Sequence, residues 1–287
     1  MDTRTTRSGF RVPHVRSMVS RCGSALRGLF GLPPEATIVA RELRRIGRLS
    51  NPREVYEARF GLLARLAHAW GFEVYNMDCA WQEDAGFWSV WKEFSGGQSQ
   101  RADRKFVVWT LARHASRLPG DTAECGVYEG ASSHLICAAY EGRADHRHHV
   151  FDSFEGLSEP GPEDDPASSL APRWRPGDLR APLETVRANL SRFGFVDYYR
   201  GWIPERFHEV ADRRFSLVHI DVDLYQPTRD SLEFFYPRLV PGGILLCDDY
   251  GSRQCVGAKR AFDDFVASRP ERSVIHLPTI QGLIIKV

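Results

Sequence analysis

From Pro119-Gly120 onward, short apolar runs alternate with amphipathic helical stretches to the end of the chain. The runs read as strands at 123–127, 149–151, 196–199, 217–220 and 244–247. Between and after them, the spacing of apolar residues predicts helices at 132–140, 183–193, 205–211, 228–239 and 256–268. Strand–helix alternation of this kind implies a parallel sheet, with the helices covering both faces. The expectation is therefore a Rossmann-like α/β architecture whose sheet is mostly parallel. Two final runs, 274–277 and 282–287, are joined by a short turn and predict an antiparallel hairpin at the sheet edge.

The part before Pro119 reads as helical. Apolar residues fall at helical spacing over 37–48 and 52–70, and Ser50 or Asn51 can cap the second helix with Pro52 at its first position. Val55, Phe60, Leu62, Leu63, Leu66 and Trp70 form the expected buried stripe. A second helical pair is expected over 87–94 and 105–117. The organisation that results is a basic, mobile leader over 1–34, a helical cap over 35–118 and an α/β domain over 119–287. Residues 155–182 are rich in Pro and Gly, acidic at 163–165 and basic at 173–175. A connection of that length inside a compact domain reads as a lid loop.

A net charge of +1 argues against a dedicated nucleic-acid binder. No run reaches the roughly 18 apolar residues of a membrane span, and the Arg-rich start lacks a clean apolar block with a cleavage site. Six cysteines without a CxxC pair read as small buried hydrophobes in a reducing compartment, and the location expected is cytoplasmic.

Three positions carry chemistry. Glu124, Gly126, Tyr128, Gly130 and Ser132 lie at the junction of the first strand and helix, where glycines bring a ligand against the helix N-terminus. The pattern is acidic-x-Gly-x-x-x-Gly rather than GxGxxG, and it suits a ligand with a cationic amino-acid end, such as S-adenosylmethionine. Asp152 closes the second strand 26 positions after Gly126, where such domains bind ribose hydroxyls; a plain turn cap is the alternative. Asp221 and Asp223 end the fourth strand, and Asp248 and Asp249 end the fifth. Four carboxylates at one rim repel one another unless a cation or protons intervene, and hard oxygen donors in that number suit Mg2+. His219 shares a strand face with Asp221, so it either orients substrate or packs. His146, His148 and His149 read as solvated loop histidines.

These segments together, 119–130, 150–157, 201–207, 221–225 and 241–251, resemble the macrocin-type sugar O-methyltransferases in order and spacing over roughly residues 100 to 270. The resemblance implies a class I methyltransferase sheet and S-adenosylmethionine-dependent, Mg2+-assisted methylation of a sugar hydroxyl on a natural product or glycan. It places Glu124, Gly126, Gly130 and Ser132, with Tyr128 in their loop, around the methionine part. Asp152 goes to the ribose with Ser153 and Phe154 beside it, and Trp202 lies near the adenine. Asp221, Asp248 and Asp249 match metal ligands, and Asp221 also matches the proposed base, a role for which His219 stays open. The implied partner is a small sugar-bearing acceptor, and a homo-oligomer is compatible with the sequence.

A catechol-type methyltransferase acting on aromatic diols would share the acidic rim. An NAD-linked oxidoreductase is disfavoured by the missing GxGxxG and by the lack of a Tyr-x-x-x-Lys pair near the fourth strand. A non-catalytic cofactor-binding scaffold would have no reason to keep repelling carboxylates together.

Overall fold

The computed structural model describes residues 34–69, 71, 80–95, 102–166, 173–269 and 273–287. The expected leader therefore lies outside the described residues, apart from Pro34. Two compact units divide between Cys79 and Ala80.

In the first unit, α1 (Pro34–Ile46) and α2 (Pro52–Ala69) bury Ile46, Ala58 and Leu62 between them. Val39, Val55 and Leu66 pack against that cluster, whereas Leu63, expected in the stripe, is 56% exposed. Asn51 is the cap: its side-chain oxygen accepts the Arg53 amide at 2.9 Å. The nearly buried Glu42 is held by Arg45 at 2.9 Å and Arg65 at 3.3 Å.

The second unit begins with α3 (Ala80–Glu83), α4 (Ala85–Ser95) and α5 (Ala102–Ala115). The sequence grouped these helices with the cap, but they share a unit and a core with the sheet. Five strands follow: β1 (Asp121–Cys125), β2 (His148–Asp152), β3 (Val196–Arg200), β4 (Phe215–Ile220) and β5 (Leu239–Cys247). They alternate with α6 (Ala131–Tyr140), α7 (Leu183–Asn189) and α8 (Tyr225–Phe235), and α9 (Val256–Ala267) precedes β6 (Ile275–His276) and β7 (Gly282–Ile285).

The sheet runs β3-β2-β1-β4-β5-β7-β6. Strands β1 to β5 are mutually parallel, while β7 pairs antiparallel with both β5 and β6, giving the expected edge hairpin. Alternation along β4 shows how the faces are filled. Leu217 joins Phe87, Trp109, Leu135 and Ile136 under α4 to α6, whereas Val218 and Ile220 join Leu232, Phe235 and Phe262 under α8 and α9.

Two boundaries moved for physical reasons. The helix expected to reach Leu239 stops at Phe235 because Pro237 cannot supply the next amide, and a single 3-10 turn leads directly into β5. Over 205–211 only a 3-10 turn forms, at Phe207–Val210. Cys125, Cys137, Cys247 and Cys255 are buried free thiols. No described helix is long and apolar enough to cross a membrane.

Candidate active site

The carboxyl ends of β1, β2, β4 and β5 open into one cleft of about 810 Å3, the position where open parallel sheets place ligands. Its first wall is the loop after β1. Gly126 sits at φ +78°, and a Cβ there would collide with the Asp221 carbonyl, so only glycine lets this loop cross the end of β4. Tyr128, Phe154 and Asp223 also have positive φ, at 48°, 57° and 58°. Such backbone is costly for residues with side chains, and here it occurs in the loops at the ends of three strands.

Gly126, Tyr128, Ser132, Asp152, Ser153, Trp202, Asp221, Asp248 and Asp249 all line the cleft, as the sequence led one to expect. Trp202 offers a face that is 40% exposed. Asp152 uses its carboxylate as a staple: Oδ2 accepts the Val127 amide at 2.7 Å and Oδ1 the Phe154 amide at 2.6 Å. Burial raises its pKa, and these amides oppose the rise. A carboxylate has further lone pairs, so the staple leaves room for a hydroxyl donor.

Glu124, Gly130 and Phe154 do not line the cleft. Phe154 packs with Val127, Val186 and Leu190, and a Cβ on Gly130 would meet Leu190 at 3.4 Å. Glu124 is buried beneath α6, where it accepts hydrogen bonds from the Ser133 hydroxyl and, at 2.8 Å, from His219 Nδ1. The network continues outward. Thr122 Oγ1 lies 2.7 Å from His148 Nδ1, and His148 Nε2 lies 2.8 Å from the Ser133 hydroxyl. Because that hydroxyl donates to Glu124, His148 carries its proton on Nε2. His146, His148 and His149 are 5%, 0% and 3% exposed, so the solvated reading is wrong: β2 carries the last two into the sheet. Burial, foremost, pushes the His148 pKa well down and the His146 pKa to about 4.

His219 does not line the cleft, although its ring, Glu124 and Asp221 each bring one atom within 4.8 Å of one another. Its side chain is fully buried, with Nδ1 on Glu124 and Nε2 3.4 Å from Asp248 Oδ1. Burial would lower its pKa, but Asp248 and Glu124 outweigh this and push it up to about 10. Both acids favour its protonated form.

At the cleft floor, Asp221, Asp248 and Asp249 each bring one oxygen into a cluster no wider than 4.8 Å. Arg104, from α5, donates through Nη2 to both carboxylates at the end of β5, reaching Asp249 Oδ1 at 3.1 Å and the Asp248 carbonyl at 2.6 Å. Gln281 donates to Asp248 Oδ1 at 2.6 Å, and Lys105 Nζ lies 2.5 Å from Ser132 Oγ and 4.0 Å from Asp248. Asp248 is held far below the usual carboxylate range: burial would raise its pKa, but Lys105, His219 and Arg104 prevail. Burial and the neighbouring acids push Asp221, Asp249 and Asp223 up, Asp223 to about 7. Asp249 Oδ2 is buried with no partner. Arg104, Lys105 and Gln281 carry no local motif and were not singled out by the sequence.

A parallel sheet in this order, with a glycine crossing at β1 and acids at the ends of β2, β4 and β5, defines a class I methyltransferase architecture. The macrocin-O-methyltransferase (TylF) family profile matches residues 107–275, and the chain belongs to that family. It is 36% identical over 148 residues to the 8-demethyl-8-(2,3-dimethoxy-alpha-L-rhamnosyl)-tetracenomycin-C 4'-O-methyltransferase of Streptomyces olivaceus, covering 49% of this chain and 57% of that one. It is 33% identical over 157 residues to the mycinamicin III 3''-O-methyltransferase of Micromonospora griseorubida, covering 51% and 61%. The chain thus spans under two thirds of these relatives' lengths. Among solved structures, CalS11, a calicheamicin methyltransferase, superposes with TM-score 0.56 at 20% identity, over 93% of this chain and 98% of that one. The O-methyltransferase NovP gives 0.52 at 23%, over 67% and 84%. Both support the fold.

Proposed function

We propose that the protein transfers a methyl group from S-adenosylmethionine to a sugar hydroxyl of a glycosylated small molecule, with Mg2+ held by Asp221, Asp248 and Asp249. The observation that carries this reading is the carboxylate cluster on the floor of the cleft, beside the glycine crossing. The donor set fits a hard divalent ion. The acids of this cluster outnumber the cations beside it (Arg104, Lys105 and His219), and a divalent ion would relieve the mutual repulsion that raises Asp221, Asp223 and Asp249. The buried, unpartnered Asp249 Oδ2 is a ligand atom in want of a cation.

S-adenosylmethionine supplies a sulfonium methyl for in-line displacement by an oxygen nucleophile. Bound Mg2+ would lower the pKa of the attacking hydroxyl and orient a vicinal diol. Among the chain's own groups, Asp152 and Trp202 serve the nucleoside, and Ser132, at the start of α6, serves the methionine end. Asp221 takes the proton. It is the one member of the cluster that is partly open to the cleft, where a positioned carboxylate can accept a proton. Burial of His219 away from the cleft lining favours Asp221 over it as the base. Relatives named for methylation of rhamnosyl and mycinamicin substrates point to the sugar acceptor.

The test is to incubate the protein with S-adenosylmethionine, Mg2+ and a panel of deoxysugar-bearing compounds and aromatic diols, scored by the mass of one added methyl group. Methylation of the diols alone would replace the sugar reading with a catechol-type one.

A further inference from the structure

A second cluster lies beside the first and shares Asp249 with it. One carboxylate oxygen each from Asp223 and Asp249 and the sulfur of Cys255 lie within 4.8 Å of one another, and all three residues are buried. Cys255 Sγ donates to Asp223 Oδ1 at 3.2 Å. Nothing in the proposed methyl transfer uses the thiol, although it lines the same cleft. We infer that Asp223, Asp249 and Cys255 form a cation site for thiophilic divalent ions, of the Zn2+ and Cd2+ class, which competes with the hard-cation site for Asp249.

The donor chemistry separates the two clusters. Asp221, Asp248 and Asp249 offer oxygen alone, whereas sulfur here selects softer ions. The dimensions agree. Zinc bonds of about 2.3 Å to sulfur and about 2.1 Å to oxygen place tetrahedral ligand atoms roughly 3.6 Å apart. The observed 3.2 Å between Cys255 Sγ and Asp223 Oδ1 needs an adjustment of only tenths of an ångström. Three protein ligands leave a fourth position toward the cleft, the composition of an open zinc site.

The ligand that the two clusters share has an oxygen free for either cation. Arg104 engages Asp249 through Oδ1 at 3.1 Å, while Oδ2, also buried, has no partner. A buried carboxylate oxygen without a donor carries a desolvation cost that a cation would remove. Burial and the neighbouring acids push the Cys255 thiol up, so without a bound cation the sulfur keeps its proton, donated to Asp223. On binding, the thiol proton leaves to solvent as the sulfur–metal bond forms, so no oxidant or reductant is required.

Competition between the clusters rests on the hard-cation reading given above; the thiolate site does not. The experiment is Cd2+ titration of the full chain in metal-free buffer, following sulfur-to-cadmium charge-transfer absorption in the ultraviolet. The expected result is a band saturating at one equivalent. Cys255→Ser abolishes it with circular dichroism unchanged, and Asp223→Asn weakens Cd2+ binding by more than about 100-fold, beyond what outer-shell changes cost. No band in the unmodified chain, or an equal band in Cys255→Ser, overturns the site. Excess Mg2+ should move the Cd2+ midpoint upward. A fixed midpoint, with Mg2+ binding seen independently by calorimetry, overturns the shared ligand. A fixed midpoint without Mg2+ binding overturns the hard-cation reading instead, while the band itself still decides the thiolate site.

Discussion

Asp152 Oδ2 accepts the Val127 amide at 2.7 Å, so the carboxylate that closes β2 also fixes the glycine-bearing loop that follows β1. One side chain thereby joins two of the loops that line the cleft. Asp152→Ala removes both the staple and any bond to ribose, and should weaken S-adenosylmethionine binding by about 1 to 3 kcal/mol. Asp152→Asn keeps one acceptor oxygen and should lose less. Calorimetric titration of both variants checks this, and unchanged affinity in the alanine variant would remove Asp152 from the cofactor site.

The same loop offers a stability test. Gly126 has φ +78°, and a Cβ there would strike the backbone carbonyl of Asp221, which has no flexible end to yield. Gly126→Ala should destabilise the fold by about 2 kcal/mol or more, the strain and the collision acting together. Urea denaturation measures it. A loss below about 0.5 kcal/mol, the range of unremarkable surface changes, would mean that the two strand ends are not so closely apposed.

Much of this site was legible because it is written in short segments. Asp152, Asp221, Asp248 and Asp249 end apolar runs, and a parallel sheet gathers the ends of its strands at one rim. Glu124 opens the glycine motif, which in sequence points it toward the cofactor. It is still within β1, however, where alternation turns it under α6 toward Ser133 and His219. Arg104 and Gln281 were illegible for a different reason. They reach Asp248 from positions 144 and 33 residues away, and only the tertiary fold brings them there. The charge problem they help to solve was visible in the four carboxylates, but its solution was not. The three histidines at 146–149 misled because alternation cannot be read from a run of one polar type.

Two of those histidines, His146 and His148, predict an acid limb of instability. His146 stacks on Tyr140 with ring centroids 4.2 Å apart, and burial holds its pKa at about 4 against 6.5 when free. A folded-state pKa below the unfolded value means that the unfolded chain binds the proton first. Stability is therefore intact above pH 6.5 and is lost as pH falls toward 4. His148 is shifted in the same direction. Each such group steepens the loss by up to about 1.4 kcal/mol per pH unit. His146→Phe keeps a ring beside Tyr140 and should flatten the limb by about one proton. Denaturation curves at several pH values check the slope, and an unchanged slope would mean that His146 stays solvated.

Metal removal separates the roles of the three rim acids. If Asp221, Asp248 and Asp249 hold Mg2+, excess EDTA should abolish turnover yet leave S-adenosylmethionine binding nearly intact, because the cofactor would rest on the β1 loop and Asp152. Asp249→Asn keeps an oxygen ligand without its charge, so activity should fall and be partly restored by added Mg2+. Asp221→Asn removes ligand charge and proton acceptor together. It should lose about 100-fold or more in kcat, with no rescue by Mg2+ at any concentration. Arg104 sharpens the comparison, since it touches Asp248 and Asp249 but reaches Asp221 only through space. Were the acids merely partners of this guanidinium, Asp249→Asn would disturb stability rather than metal dependence, and EDTA would leave turnover untouched. Full activity in EDTA would thus return the rim to an arginine–carboxylate cluster, with Asp221 acting as an unaided base.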